Sequence, residues 1–399
     1  MALTTKNVSR FLVVRTDKIG DVTLTTPAIA ALRKHFPEAK IVGLTSPVAA
    51  EIYRLNPHLN SHFVLDPAQY SGFLGFWRLV RRLRQEKFQA AVVMQTRMFV
   101  AMALLFSGIR FRIGPYSKWW SWFTYNLGRR QNRSAVEMHE ADYNIQLLRA
   151  FGITVADTFE KTYLQVDEES RREAEKFFAE KGLPKKFKTV AIHPGMAGSA
   201  LNWPEAHYTA LARRLVQRYN VLITGGPGEG ALVDRVYQGM ARAQNFVPDQ
   251  PVFTKYVGEK GLAVTIAIFD QCDAVVAPST GPMHISVALG KKVVTIFPPI
   301  KVQSAVRWGP YGIPHGSNLG ISPEDRSSVL VPDVNCAEDF RCALSACIYY
   351  PCMPRISIDD VETQVLALME GGSLSMFKSS AMSSYEWDEA LTETEEHEE

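Results

Sequence analysis

Short apolar runs alternate with amphipathic stretches along the first half of the chain. Phe11-Leu-Val-Val14 reads as a strand, and Asp21–His35 reads as a helix entered through a tight turn at Gly20. Lys40–Leu44, His62–Leu65 and Ala90–Met94 repeat the strand pattern, and Trp77–Lys87 is a strongly basic helix between the last two. Strands that alternate with helices predict a parallel sheet covered on both faces. The pattern then restarts. Asp167–Gly182 reads as a charged helix, Leu183–Lys186 as a hinge, Thr189–Ile192 as a strand and His193–Asn202 as a glycine-containing loop. A helix over Trp203–Arg218 follows, then strands at Val221–Thr224, Asp273–Ala277 and Lys292–Phe297, and a final helix at Ile358–Met369. Two successive α/β sheets with a cleft between them is the predicted architecture.

The densest chemical signal is Ser279-Thr280-Gly281-Pro282-Met283-His284. It joins the apolar run ending at Pro278 to a helical pattern over Ile285–Gly290. Ser279 or Thr280 suits a helix cap, and Pro282 suits the first helical turn. Unpaired amides and the helix dipole at such a start attract a phosphate or diphosphate. His284 falls one turn in. A nucleotide-linked substrate is the reading this supports.

Charge sharpens that picture. The net charge is +3 over 399 residues, but Ser373–Glu399 holds eight acids and one lysine, which leaves about +10 on the body. A basic body favours anionic partners. Between Gly108 and Arg133 stand six basic residues, Arg112 and Lys118 among them, and no acid. Trp119, Trp120, Trp122, Phe123 and Tyr125 are interleaved with them, and Arg78, Arg81, Arg82 and Arg84 lie on the basic helix. This mixture suits an anionic membrane surface, or else aromatics in the core with solvated arginines. No nucleic-acid recognition motif accompanies it, so nucleic acid is not an expected partner. The apolar stretch Met98–Ile109 is too short to span a bilayer. With no signal-peptide pattern at Phe11–Val14, the chain is expected in the cytoplasm, with reduced cysteines. Cys336, Cys342, Cys347 and Cys352 have five, four and four residues between them, which is not a zinc-finger spacing.

Four blocks together resemble glycosyltransferase family 9, the bacterial lipopolysaccharide heptosyltransferases. The first is Arg15-Thr-Asp-Lys-Ile-Gly-Asp21 with Leu24-Thr-Thr-Pro-Ala28. The others are His193-Pro-Gly195 with Asn202-Trp-Pro204, Thr224-Gly-Gly-Pro-Gly-Glu229, and Ser279–His284 with Ala288-Leu-Gly290 and Phe297-Pro298. The resemblance covers about residues 10–370. It implies a GT-B fold of two facing Rossmann-like domains. It also implies inverting, metal-independent transfer of a sugar, heptose or a relative, from a nucleotide-diphosphate donor such as ADP-heptose to a lipopolysaccharide-core acceptor. No cofactor or metal is expected.

By the same resemblance Asp21 matches the general base, although from the residues alone it equally caps a helix. His193, Gly195, Glu229, Ser279, Thr280, Gly281, Pro282, Met283 and His284 are candidate donor-binding residues. Glu229 suits ribose hydroxyls and equally an exposed loop acid. His284 adds a hydrogen bond to the leaving group or merely holds its loop. Lys18, Arg15, Arg112 and Lys118 are candidates for an anionic acceptor. Leu201 stands where the family usually carries lysine, and Ser279 where it usually carries aspartate. These departures keep open a second reading, a sugar-nucleotide or glycolipid binder without transfer. The expected division is an acceptor domain at 1–165, a donor domain at 166–350, a C-terminal helix at 351–372 and a disordered acidic tail at 373–399. Peripheral contact with the inner face of the inner membrane follows from a lipid-linked acceptor.

Overall fold

The computed structural model describes residues 7–95, 97–155, 161–196, 198, 201–241, 250–311 and 326–370. The expected disorder of the 373–399 tail lies outside the described residues.

Two parallel sheets organise the chain. In the first, β1 (Arg10–Arg15), β2 (Lys40–Thr45), β3 (Ser61–Val64), β4 (Ala90–Val93) and β5 (Phe111–Ile113) take the order β3-β2-β1-β4-β5. The second holds β6 (Thr189–Ile192), β7 (Asn220–Thr224), β8 (Phe253–Tyr256), β9 (Ala274–Pro278), β10 (Lys292–Ile296) and β11 (Ser327–Leu330), ordered β11-β10-β9-β6-β7-β8. Renumbered within itself, the second sheet reads 3-2-1-4-5-6, the Rossmann order, and the first is that order without its last strand. Central strands are apolar throughout: Phe11–Val14, Val190–Ile192 and Val275–Val276 are all buried, as a sheet covered on both faces requires.

The predicted Asp21–His35 helix is two helices, Ile19–Thr23 and Thr26–His35. The hydroxyls of Thr23, Thr25 and Thr26 donate to the carbonyls of Ile19, Val22 and Thr23. Such back-bonding competes with the helix, and Pro27 has no N–H to carry it through. Likewise the helix after Trp203 runs only over Glu205–Leu215, with Pro204 at its N-cap.

One apolar core runs through both halves. Ala28, Ile29 and Leu32 of the first helix layer share it with Ile268, Met283 and Ile285 of the second. The linker is pinned at both sides, since Tyr163 N donates to Thr26 Oγ1 and Leu164 N donates to the Ala288 carbonyl. The Ile358–Glu370 helix packs Val361, Val365 and Met369 onto the second sheet. No helix among the described residues is long and apolar enough to cross a membrane.

Candidate active site

All strands of a parallel sheet end on the same side, so each half presents its loops along one edge. β1 delivers Arg15 to that edge, where it is 3% exposed. A guanidinium so buried must be paired. Its Nε meets Asp17 at 2.8 and 3.1 Å, its Nη2 meets Asp21 Oδ1 at 2.5 Å, and its Nη1 meets Glu140 Oε1 at 3.0 Å. Nη1 also donates to the Met94 carbonyl and to Asn144 Oδ1. Arg15 therefore organises carboxylates. Asp21 sits in the first turn of the Ile19–Thr23 helix, and its carboxylate goes to Arg15. The N-cap position belongs to the exposed Lys18.

Asp17 and Glu140 are tuned in opposite directions. Burial pushes Asp17 up against the pull of Arg15, and the neighbouring Asp21 adds to the push, bringing it to about 6. Glu140 is fully buried, which acts to raise it. The charges of Arg133, Arg15 and Arg307 outweigh burial and bring it down to about 2.

In the second half, His193 follows β6 and Thr224 ends the adjacent β7. His193 Nδ1 lies 3.0 Å from Thr224 Oγ1, and its Nε2 lies 3.5 Å from Glu229 Oε2. Burial, against the opposing charge of Glu229, lowers His193 to about 4, so the ring is neutral near pH 7. Glu229 is no exposed loop acid: it accepts a 2.8 Å bond from Gly226 N. Its carboxyl also covers Gly195, where a Cβ would fall 2.2 Å away and would have to push the carboxyl aside. Asn202 pins the same loop. Its Nδ2 donates to the Pro194 carbonyl, and its Oδ1 accepts from Trp203 N and Tyr208 Oη.

β9 leads into Ser279 and Thr280, then the helix Gly281–Ala288. Thr280 occupies the N-cap position without capping through its side chain. Its hydroxyl donates to the Pro278 carbonyl instead, so its side chain does not close off the first-turn amides. Met283 is fully buried in the core, so it can offer this turn only backbone. The Ile19–Thr23 helix abuts this start. A Cβ on Gly20 would lie 2.6 Å from His284 Cδ2, and one on Gly281 would lie 3.2 Å from Ile19 Cβ. Burial, reinforced by the nearby His139, lowers His284 to about 3, so it faces Gly20 as a neutral ring.

The turn carrying Asp21 and the turn offering free amides therefore touch across the two halves. Arg112 and Lys118 lie elsewhere. Arg112 donates to the Thr124 and Ile109 carbonyls within its own lobe, and Lys118 is exposed beside Trp119. Sequence reasoning missed Asp17, Glu140, Arg133 and Arg307. The available signal was His139-Glu-Ala-Asp142, a cluster of acids directly after a stretch of six basic residues without one.

The sequence profile of glycosyltransferase family 9 (heptosyltransferase) matches residues 76–325. This chain belongs to glycosyltransferase family 9. A Haemophilus influenzae protein classed among the glycosyltransferases is 30% identical over 311 residues, covering 76% of this chain and 86% of that protein. Two crystal structures share the GT-B fold of this family 9 enzyme. The family 9 glycosyltransferase of Veillonella parvula superposes with a TM-score of 0.76 at 20% identity, over 91% of this chain and 97% of that one. Escherichia coli ADP-heptose lipopolysaccharide heptosyltransferase II gives 0.70 at 19%, over 90% and 98%.

A second surface on this glycosyltransferase is apolar and basic. Phe73, Leu74, Trp77, Phe106, Trp119, Trp122 and Phe123 are exposed, whereas Trp120 and Tyr125 are core residues. Phe73 meets Trp77, and Trp77 meets Phe106, at ring distances of 6.3 and 5.7 Å. Arg130 lies 5.0 Å over Trp122. The exposed side chains of Arg78, Arg81, Arg82 and Arg84 share the Gly72–Glu86 helix with Phe73 and Trp77.

Proposed function

We propose that this enzyme transfers heptose, or a related sugar, from ADP-heptose to the core of a lipopolysaccharide or a similar lipid-linked acceptor, with inversion and without a metal. Residues 1–165 hold the acceptor and 166–350 the donor. The observation that carries this reading is the contact between the Asp21 turn and the start of the Gly281–Ala288 helix. The donor diphosphate docks on the first-turn amides of Gly281 and Met283, with Pro282 shaping the turn between them, beside Ser279 and Thr280, and the dipole there stabilises the charge it gains on leaving. Asp21 takes the proton of the acceptor hydroxyl as that oxygen bonds to the anomeric carbon. The bond to the diphosphate breaks with its electron pair going to ADP. Glu229 meets the ribose, His193 and Gly195 border the nucleotide, and neutral His284 donates to a diphosphate oxygen. The relative whose name includes ADP-heptose and lipopolysaccharide supports the choice of donor and acceptor.

The acceptor's phosphates meet Lys18 on the rim. Its lipid keeps the enzyme at the cytoplasmic face of the inner membrane, where the aromatic, arginine-rich surface with Arg112 and Lys118 rests on anionic headgroups.

ADP release from ADP-heptose with a heptose-free core acceptor tests the reading. Asp21→Asn is expected to lower kcat by about 10²–10⁴-fold while donor affinity stays near wild type. Normal turnover in that variant removes Asp21 from the reaction. Tight donor binding with no turnover in the wild type would favour a binding protein.

A further inference from the structure

We propose that Glu140 and Arg307 are positioning residues for the reaction: Glu140 fixes Arg15, Arg15 fixes Asp21, and Arg307 completes the arrangement from the opposite half. This rests on Asp21 being the base.

Glu140 has no exposed side-chain surface and is shared by three guanidiniums. Oε1 accepts from Arg15 at 3.0 Å and from Arg133. Oε2 takes both Nε and Nη2 of Arg307, at 3.1 and 3.0 Å. Arg15 and Arg133 belong to the first half. Arg307 lies on the short Ala305–Trp308 helix after β10, in the second. All three nitrogens of the Arg15 guanidinium are engaged, so the group cannot turn without losing Asp17, Asp21 or Glu140. Three carboxylates thus face three guanidiniums in one buried cluster. Withdrawing Arg307 leaves an excess negative charge around Arg15, and a buried charge that loses a partner pulls its remaining partners toward itself.

The same strand-following segment grips the neighbours of Glu140. His139 Nε2 lies 3.0 Å from the Gly309 carbonyl, and Tyr311 Oη donates to Asp142 Oδ1 at 2.6 Å. Three anchors along His139–Asp142, at His139, Glu140 and Asp142, therefore come from 307–311. The setting of Asp21 is therefore coupled to the donor half through residues 307–311.

The test is steady-state transfer by the full chain with ADP-heptose and a heptose-free core acceptor, in four variants. Arg307→Met is expected to lower kcat by about 10²-fold, the cost of a displacement near 1 Å at the reacting groups, with donor KM within about twofold of wild type. Arg307→Lys keeps the charge without the two-pronged contact and is expected to recover part of that loss. Glu140→Gln is expected to match or exceed Arg307→Met in its kcat loss. If it does not fold, the partly exposed Arg307 variants still decide. Asp21→Asn runs alongside. Wild-type kcat in Arg307→Met beside an inactive Asp21→Asn overturns the positioning role alone. A loss confined to donor KM overturns it as well, and an active Asp21→Asn overturns both it and the base assignment.

Discussion

Asp17 and Asp21 lie on one guanidinium, and burial holds the Asp17 carboxyl up at about 6. Transfer is therefore expected to fall off below about pH 6, as Asp17 takes up a proton and Arg15, which holds Asp21, loses the charge of one of its carboxylates. Asp17→Asn has no proton to take up there, so the acid limb of kcat/KM near pH 6 is expected to disappear. An unmoved limb in that variant would show that Asp17 does not govern the profile. Glu140 acts on stability with the sign of a depressed acid. Its contribution is complete above the ordinary 4.5 and is lost as pH falls toward about 2. Wild type is expected to lose stability by acid unfolding across that window, and Glu140→Gln to show a flatter dependence there. Little of this was legible in sequence. Arg15 and Asp21 stood in one motif, but Glu140, the other partner of Arg15, is 125 residues beyond Arg15, and Arg307 lies 167 beyond Glu140. A buried charge cluster is a property of the closed fold, and no local pattern announces it.

At the scale of elements, the central strands and the β3 edge were readable, and the other three edges were not. β1, β6, β9 and β10 are continuous apolar runs because both their faces are covered. β5, β8 and β11 each end a sheet and include partly exposed positions, which weakens the pattern. The glycines of the four motif blocks were legible as loops, and the structure adds what each accommodates. Gly195 leaves room for the Glu229 carboxyl, and Gly20 leaves room for the His284 ring. Gly195→Ala is expected to displace Glu229 from Gly226 N and to weaken donor binding by roughly tenfold, about 1.4 kcal/mol. Isothermal titration with ADP checks it, and unchanged affinity would separate Glu229 from the donor. Gly20→Ala is expected to cost about 1–3 kcal/mol of stability by overpacking His284, read by thermal denaturation.

For the whole molecule, the restart of the strand–helix pattern near residue 167 foretold two sheets. It did not foretell that one apolar core joins them, or that the halves meet through Gly20 and Gly281. The exposed aromatic surface belongs at this scale too. Phe73→Ser with Trp77→Ser and Trp119→Ser is expected to reduce sedimentation with phosphatidylglycerol vesicles while leaving transfer to a soluble, lipid-free acceptor intact. Wild-type binding is expected to weaken as salt rises, since arginine contacts with headgroups are screened. Equal binding to neutral phosphatidylcholine would contradict the role of charge.

The central claim is that the two halves share one site, with the donor's diphosphate on the amides of the Gly281–Ala288 helix and Asp21 facing the sugar across the junction. A crystal structure of the enzyme with an unreactive ADP-heptose analogue tests it most directly. The account predicts the diphosphate at Thr280–Met283 and the anomeric carbon on the side of Asp21. A diphosphate seated away from that helix, or a sugar turned from the Asp21 carboxylate, would contradict it.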